Sequence, residues 1–289
     1  MKLFFTNKVY HFLTVSRFLN TIGSSLYNIV SVIYAATVFH SKIMVGVANV
    51  TMVIPALFFM LSALVILVIK DDADYDVLSS DNELSFKEQF SNLYHNVMLI
   101  FNETNSADFI HLLLAILCLN MLSGSLNAIY NIWLLFAKIG HLSYSQALLL
   151  IEFILVGGIL IGSLTPHDYF SQKSIRQLLK ISAVIFFIVG LLNLIHFPLI
   201  IGILLLAFAS YLVGKVNPKI NSQLLSNLLA NTLAQTNSFL TFLFTLFLPV
   251  GTVLFSSLSS WNITSTWITF LALAVAVFKL SASTKTVVD

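Results

Sequence analysis

The sequence predicts an all-α, polytopic helical membrane protein with about eight transmembrane helices. Three observations carry this reading. Of 289 residues, 58% are hydrophobic and only 9% charged, with a mean hydropathy of +0.95, whereas soluble domains run near ~25% charged. The apolar residues gather into runs that reach the ~20 residues needed to cross a hydrocarbon core. Those runs do not alternate with period two, so the spanning elements read as helices rather than barrel strands.

Eight runs stand out, at about 13–38, 43–69, 109–136, 143–164, 178–195, 198–217, 238–258 and 262–280. The stretch from Leu178 to Val216 is almost unbroken. As one helix it would be about 58 Å long, too long for a core of ~30 Å. The "NLIHFP" segment, Asn193 to Pro198, supplies the polar break and a proline that starts the next helix. Charge placement agrees with this count. With a cytoplasmic N-terminus, the inner side holds Lys2, Lys8, Arg17, Lys70, Lys87, Lys173, Arg176, Lys180, Lys215, Lys219, Lys279 and Lys285, against Lys42 and Lys138 outside. Twelve against two is a strong positive-inside bias and places both termini in the cytoplasm.

Several function classes lose support. The net charge of +2 is spread over loops with no basic aromatic patch, so no nucleic-acid partner is expected. Cys118 is the one cysteine, which excludes a disulfide within the chain and a thiolate zinc site. The seven histidines sit in loops or near span ends without metal-ligand spacing, so no metal or cofactor is expected. No Ser-His-Asp set, phosphate loop or paired-carboxylate site is visible, and the chain is not read as an enzyme. The basic "MKLFFTNK" start is a weak signal-peptide candidate, because the following run contains Arg17, Asn20 and Asn28 and no small-x-small cleavage site.

The connection 71–108 differs from the others. It opens with the acidic "DDADYDVLSSDNELS" and continues with "FKEQFSNLYHNVMLIF". There Phe86, Phe90, Leu93, Val97 and Phe101 recur at helical spacing, as for an amphipathic helix. It would lie at the inner interface or pack on the bundle.

Polar side chains inside the spans are the candidate functional residues, because lipid offers them no hydrogen bonds. The first span carries Arg17, Thr21, Ser24 and Asn28 on one face, and the third carries Asn120, Gly124, Asn127 and Asn131 at the same steps. These stripes would wall a water-filled substrate cavity, or hydrogen-bond between helices for packing alone. "LNTIGSSLYNI" from Leu19 and "LNMLSGSLNAI" from Leu119 agree at five of eleven positions, which suggests equivalent helices of a duplicated architecture.

Glu152 lies halfway along the fourth span, on a face with Ser145, while Gly158 and Gly162 form a small-xxx-small pair on another side. A central charge costs at least ~2.5–3.5 kcal/mol on insertion scales. Low dielectric favours the neutral form of a carboxylic acid. Such a group suits proton coupling; the alternative is a permanently protonated acid that hydrogen-bonds to a neighbouring helix. Lys215 and Lys219, in "YLVGKVNPKINSQLL", read mainly as positive-inside anchors, with an inner vestibule as the alternative.

With these residues in view, the chain resembles the major facilitator superfamily, closest to a bacterial drug-exporter branch that includes macrolide-efflux and siderophore-export proteins. "SRFLNTIGSSLYNIVSVIYAATVFHSKIMVGVANVTMVIPALFF" resembles that group's first span and the start of its second. "FIHLLLAILCLNMLSGSLNAIYNIWLL" resembles its seventh, "LSYSQALLLIEFILVGGILIGSL" its eighth with an acid at Glu152, and "LVGKVNPKINSQLL" the end of its tenth. The resemblance implies a partial facilitator fold, since the family has two six-helix halves. "MVIPALFFM" runs straight into "LSALVILVIKDD", without the Gly-x-x-x-Asp-Arg/Lys loop, as after an internal deletion near Met60. The organisation would then be a two-span remnant over 1–70, an acidic cytoplasmic linker over 71–108 and a six-span C-terminal half over 109–289. The implied activity is secondary active, proton-coupled export of amphipathic small molecules or drugs from the cell membrane. Partners would be the bilayer, the substrate, protons and a second copy of the chain. A non-transporting membrane partner or immunity-type protein, or a degenerate transporter fragment, is the alternative.

Overall fold

The structure, a computed structural model, describes residues 30–51, 94–98, 101, 106–197, 199–227 and 230–282. Among the described residues there is no strand. Two short helices come first, α1 (Val30–Phe39) and α2 (Lys42–Thr51). Six long ones follow: α3 (Ser106–Trp133), α4 (Tyr144–Leu164), α5 (Ile175–Leu194), α6 (Leu199–Asn227), α7 (Ala230–Trp261) and α8 (Ile263–Ala282). Each of these six contains a stretch long and apolar enough to cross a membrane. The chain is a helical, membrane-embedded protein. α1 and α2 cover the end of the first expected span and the start of the second; the rest of those two spans lies outside the described residues.

Local chemistry explains where the helices begin and end. Ser143 and Ser174 each cap a helix through a reciprocal box with Gln146 and Gln177, opening α4 and α5. Asn262 accepts from the backbone N–H groups of Thr264 and Ser265 and so caps α8. The break expected around Asn193–Pro198 is present: α5 ends at Leu194, His196 adopts a left-handed φ of 55°, and α6 starts at Leu199. The membrane-crossing stretches Ile200–Ile220 and Phe239–Trp261 agree with the expected spans, but the helices that contain them are longer. α6 runs ten residues past 217 and α7 begins eight residues before 238. The polar residues there, such as Lys219, Asn221 and Gln235, dilute hydropathy without opposing helix formation, so the helices outlast their membrane spans.

The six long helices pack in a connected set. α3 lies against α7 and α8, α4 against α6, and α5 against both α6 and α8, while α2 rests on α7. Two pairs approach closely because glycine removes the side chain between them. On α4, a Cβ at Gly162 would sit 2.0 Å from the Tyr211 carbonyl oxygen, and one at Gly158 2.7 Å from Ser210 Cβ. α6 reciprocates at Gly214, where a Cβ would be 2.3 Å from the Ile159 oxygen. The small-xxx-small face expected on this helix is therefore its packing face. α3 and α7 meet in the same manner at Gly251, where a Cβ would come 2.4 Å from the Met121 oxygen. Close packing of this kind replaces the hydrophobic effect between helices in lipid.

An aromatic cluster holds α3, α5, α7 and α8 together. Trp267 meets Tyr130, Trp133 and Phe270 at ring-centroid distances of 5.9, 5.4 and 5.6 Å, edge to face. Asn193, fully buried, donates to the Tyr130 hydroxyl at 3.0 Å. Of the expected amphipathic helix before α3, residues 94–98 are helical, with Val97 and Phe101 buried. Tyr94 meets Phe109 edge to face at 5.1 Å and Phe101 lies tilted against it at 6.0 Å, so this part of the helix packs on the first turns of α3.

Candidate functional site

Glu152 is the ninth residue of α4, near the middle of its 21. Ala147, Leu148, Ile151, Leu155, Gly158 and Gly162 form the buried face of that helix. Glu152 is half-buried on the flank of this face, with Phe153 beside it among the most exposed residues of α4. Its carboxyl has no hydrogen bond or ion pair among the described residues. Ser145, two turns earlier on the same flank, is also half-buried.

The asparagine stripe of α3 is divided among several settings. Asn120 is half-buried and Asn127 exposed. Gly124 faces α7: Thr252 donates to its carbonyl at 3.3 Å, and a Cβ there would be 2.7 Å from Leu248. Asn131 donates to Asn49 Oδ1 at 2.7 Å, and its own carbonyl accepts from the Tyr144 hydroxyl at 2.7 Å. Asn49, itself buried, reaches the Ala128 carbonyl, and nearby Gly46 brings α2 against Ser260 of α7. At this end the amide is spent on joining helices. Arg17, Thr21, Ser24 and Asn28 lie outside the described residues. A cavity of about 580 Å3 lies in the α3–α4 connection, lined by residues between Leu134 and Ala147. Neither Glu152 nor Asn120, Asn127 or Asn131 lines it.

The densest polar site is one that sequence reasoning undervalued. Lys215 is no surface anchor: its side chain is only 3% exposed and its Nζ lies 2.7 Å from Asp168 Oδ2. Asp168 belongs to the turn between α4 and α5, which also contains a 3-10 turn over Phe170–Gln172. The same Nζ meets the carbonyl oxygens of Gly162 and Thr165 and the hydroxyls of Thr165 and Ser171. It also lies 4.6 Å from the centre of the Tyr211 ring. Tyr211 donates its hydroxyl to Asp168 Oδ2, and Ser171 donates both N–H and hydroxyl to Oδ1 at 2.8 Å. Lys219, one turn further, donates to the Ser171 carbonyl at 3.0 Å and to that of Lys173.

The electrostatics follow from this geometry. Gly162 and Thr165 end α4, where unpaired carbonyls carry the negative end of the helix dipole. A cation belongs there. Burial alone would raise the Asp168 carboxyl, but hydrogen bonds from Lys215, Tyr211 and Ser171 outweigh it and hold the group well below the usual carboxylate range. On the opposite flank, Arg176 donates to the Asp108 carbonyl at 2.9 Å and so ties the start of α5 to the start of α3. The sequence did contain a signal. Between Asp108 and Asp289 it has two acids, Glu152 and Asp168, and Asp168 stands on the same predicted side of the membrane as Lys215. Among the described residues no group of His, Cys, Asp and Glu is arranged to hold a metal ion.

Comparison of the chain with protein-family models, with curated proteins and with solved structures finds no match.

Proposed function

We propose that this protein is a secondary active transporter of the cell membrane that exchanges protons for an amphipathic small molecule, with Glu152 as the proton-carrying carboxyl. The observation that supports this is the setting of Glu152: mid-helix, half-buried, beside rather than within the α4–α6 contact, and without a partner among the described residues. Ionisable groups inside spans are costly, and those kept without a structural partner are functional candidates. The six long helices are taken as the C-terminal half of a facilitator-type fold, the resemblance already noted, with both termini cytoplasmic. In this reading Asn120 and Asn127 would offer amides to the substrate, and Arg17, Thr21, Ser24 and Asn28 would complete the wall from the first span. A second copy of the chain would supply the helices that close the cavity. Protonation of Glu152 removes its charge and its demand for water, so the binding of proton and cationic substrate becomes mutually exclusive.

The test is transport by the purified full chain in liposomes loaded with a fluorescent cationic dye, under an imposed proton gradient. Dye movement that follows the gradient and disappears in Glu152→Gln is expected. Movement no faster than in empty liposomes, with the protein correctly inserted, overturns the reading. A non-transporting membrane partner is the second reading, and the use of Asn131 in a helix–helix bond with Asn49 favours it. Gradient-independent retention of another membrane protein, without dye movement, is its expected signature.

A further inference from the structure

Five oxygen atoms surround the Lys215 ammonium: Thr165 O at 2.6 Å, Asp168 Oδ2 at 2.7 Å, Thr165 Oγ1 at 2.8 Å, Gly162 O at 3.1 Å and Ser171 Oγ at 3.2 Å. A lysine has three N–H donors. Five oxygens therefore exceed what directed hydrogen bonds can use, and the arrangement is nearer to the shell around a spherical ion. The oxygens also present lone pairs inward. The Thr165 hydroxyl donates its hydrogen to Ile161 O at 2.8 Å, and the Ser171 hydroxyl donates to Thr165 O or Asp168 Oδ1. The Tyr211 ring closes one side.

We propose that the turn between α4 and α5 is a binding site for a monovalent cation, formed by oxygens of Gly162, Thr165, Asp168 and Ser171, whose resident occupant is the Lys215 ammonium. The charge balance fits one positive charge, because Asp168 is the single anion in the shell. The spacing fits a large ion: the oxygens stand at 2.6–3.2 Å from the centre, whereas calcium takes oxygens at about 2.3–2.6 Å and magnesium at about 2.0–2.1 Å. Lys215 is thus a tethered cation that reaches from α6 and caps the C-terminus of α4. It makes the seating of α6 on that turn independent of dissolved ions. Removing the ammonium turns the same shell into a site for potassium or ammonium ion.

The experiment is thermal unfolding of the full chain in detergent, in chloride salts of potassium, ammonium, sodium and choline at equal ionic strength. Lys215→Met keeps the stem and empties the Nζ position. Its melting temperature is expected to be lowest in choline and to rise saturably with potassium or ammonium, while the unsubstituted chain melts at one temperature in all four salts. The double variant Asp168→Asn, Lys215→Met removes the anion and is expected to lose the cation response. Recovery of folded Lys215→Met in potassium but not in choline also supports the site. The proposal is overturned if folded Lys215→Met melts alike in every salt, or if the double variant responds as strongly. It is equally overturned if Lys215→Met aggregates in all four salts while the double variant folds. None of these outcomes depends on transport, so the site and the transporter reading fail separately.

Discussion

Glu152 and Asp168 are sixteen residues apart and have opposite surroundings. Asp168 lies beyond the end of α4, 28% exposed, and receives donors from Lys215, Tyr211 and Ser171. Glu152 lies mid-helix with no partner among the described residues. Distance from water alone would have suggested the reverse, because the deeper acid has the greater need of a counter-charge. The difference teaches that one carboxylate is committed to seating α6 on the α4–α5 turn, while the other is left without a partner among the described residues, the setting that the proposed proton carrier requires.

The largest effect is expected from Asp168→Asn. It strands the buried Lys215 ammonium without its anion, and breaking a buried pair from one side costs about 3–5 kcal/mol. The partial exposure of Asp168 puts this case toward the low end, and thermal unfolding in detergent reads it. Next comes Gly162→Ala, whose new methyl would meet the Tyr211 carbonyl at 2.0 Å. Overpacking of this kind costs about 1–3 kcal/mol, and an equal change at Gly157, which has open space around it, should leave stability unchanged or slightly raised. Asn49→Ala removes the amide bond to Asn131 and should cost about 0.6 kcal/mol, the average for such bonds between membrane helices.

Acid sharpens the same contrast. The Asp168 carboxyl is held below its usual range, so its contribution is complete above the unfolded value of about 3.9 and is lost as pH falls toward the folded value. The melting-temperature gap between the unsubstituted chain and Asp168→Asn should therefore be constant above about pH 4 and narrow progressively below it. The smallest effect on stability belongs to Glu152→Gln, expected within about 0.5 kcal/mol of the parent, as for substitutions that break no contact.

Much of this was legible in one-dimensional pattern. Long apolar runs predicted the six long helices, Asn193–Pro198 predicted the break, and Gly158 and Gly162 predicted the close face of α4, because each depends on neighbours in sequence. The Lys215 setting was legible only as an acid on the same predicted side of the membrane, since the contact itself joins residues about 50 positions apart through the pairing of α4 with α6. Hydropathy places a lysine at a membrane boundary and says nothing of whether it turns outward or into a neighbouring loop. The asparagine stripe was legible as a face but not as a use. Its period puts Asn120, Asn127 and Asn131 on one side of α3, and only packing reveals that Asn131 is taken by Asn49.

The contrast between the two acids is tested most directly by measuring proton-driven dye transport and melting temperature together for Glu152→Gln and Asp168→Asn, in liposomes and detergent respectively. Glu152→Gln is expected to abolish proton-driven movement at an unchanged melting temperature, whereas Asp168→Asn is expected to lower the melting temperature. Glu152→Gln that transports normally, or that loses as much stability as Asp168→Asn, would contradict it.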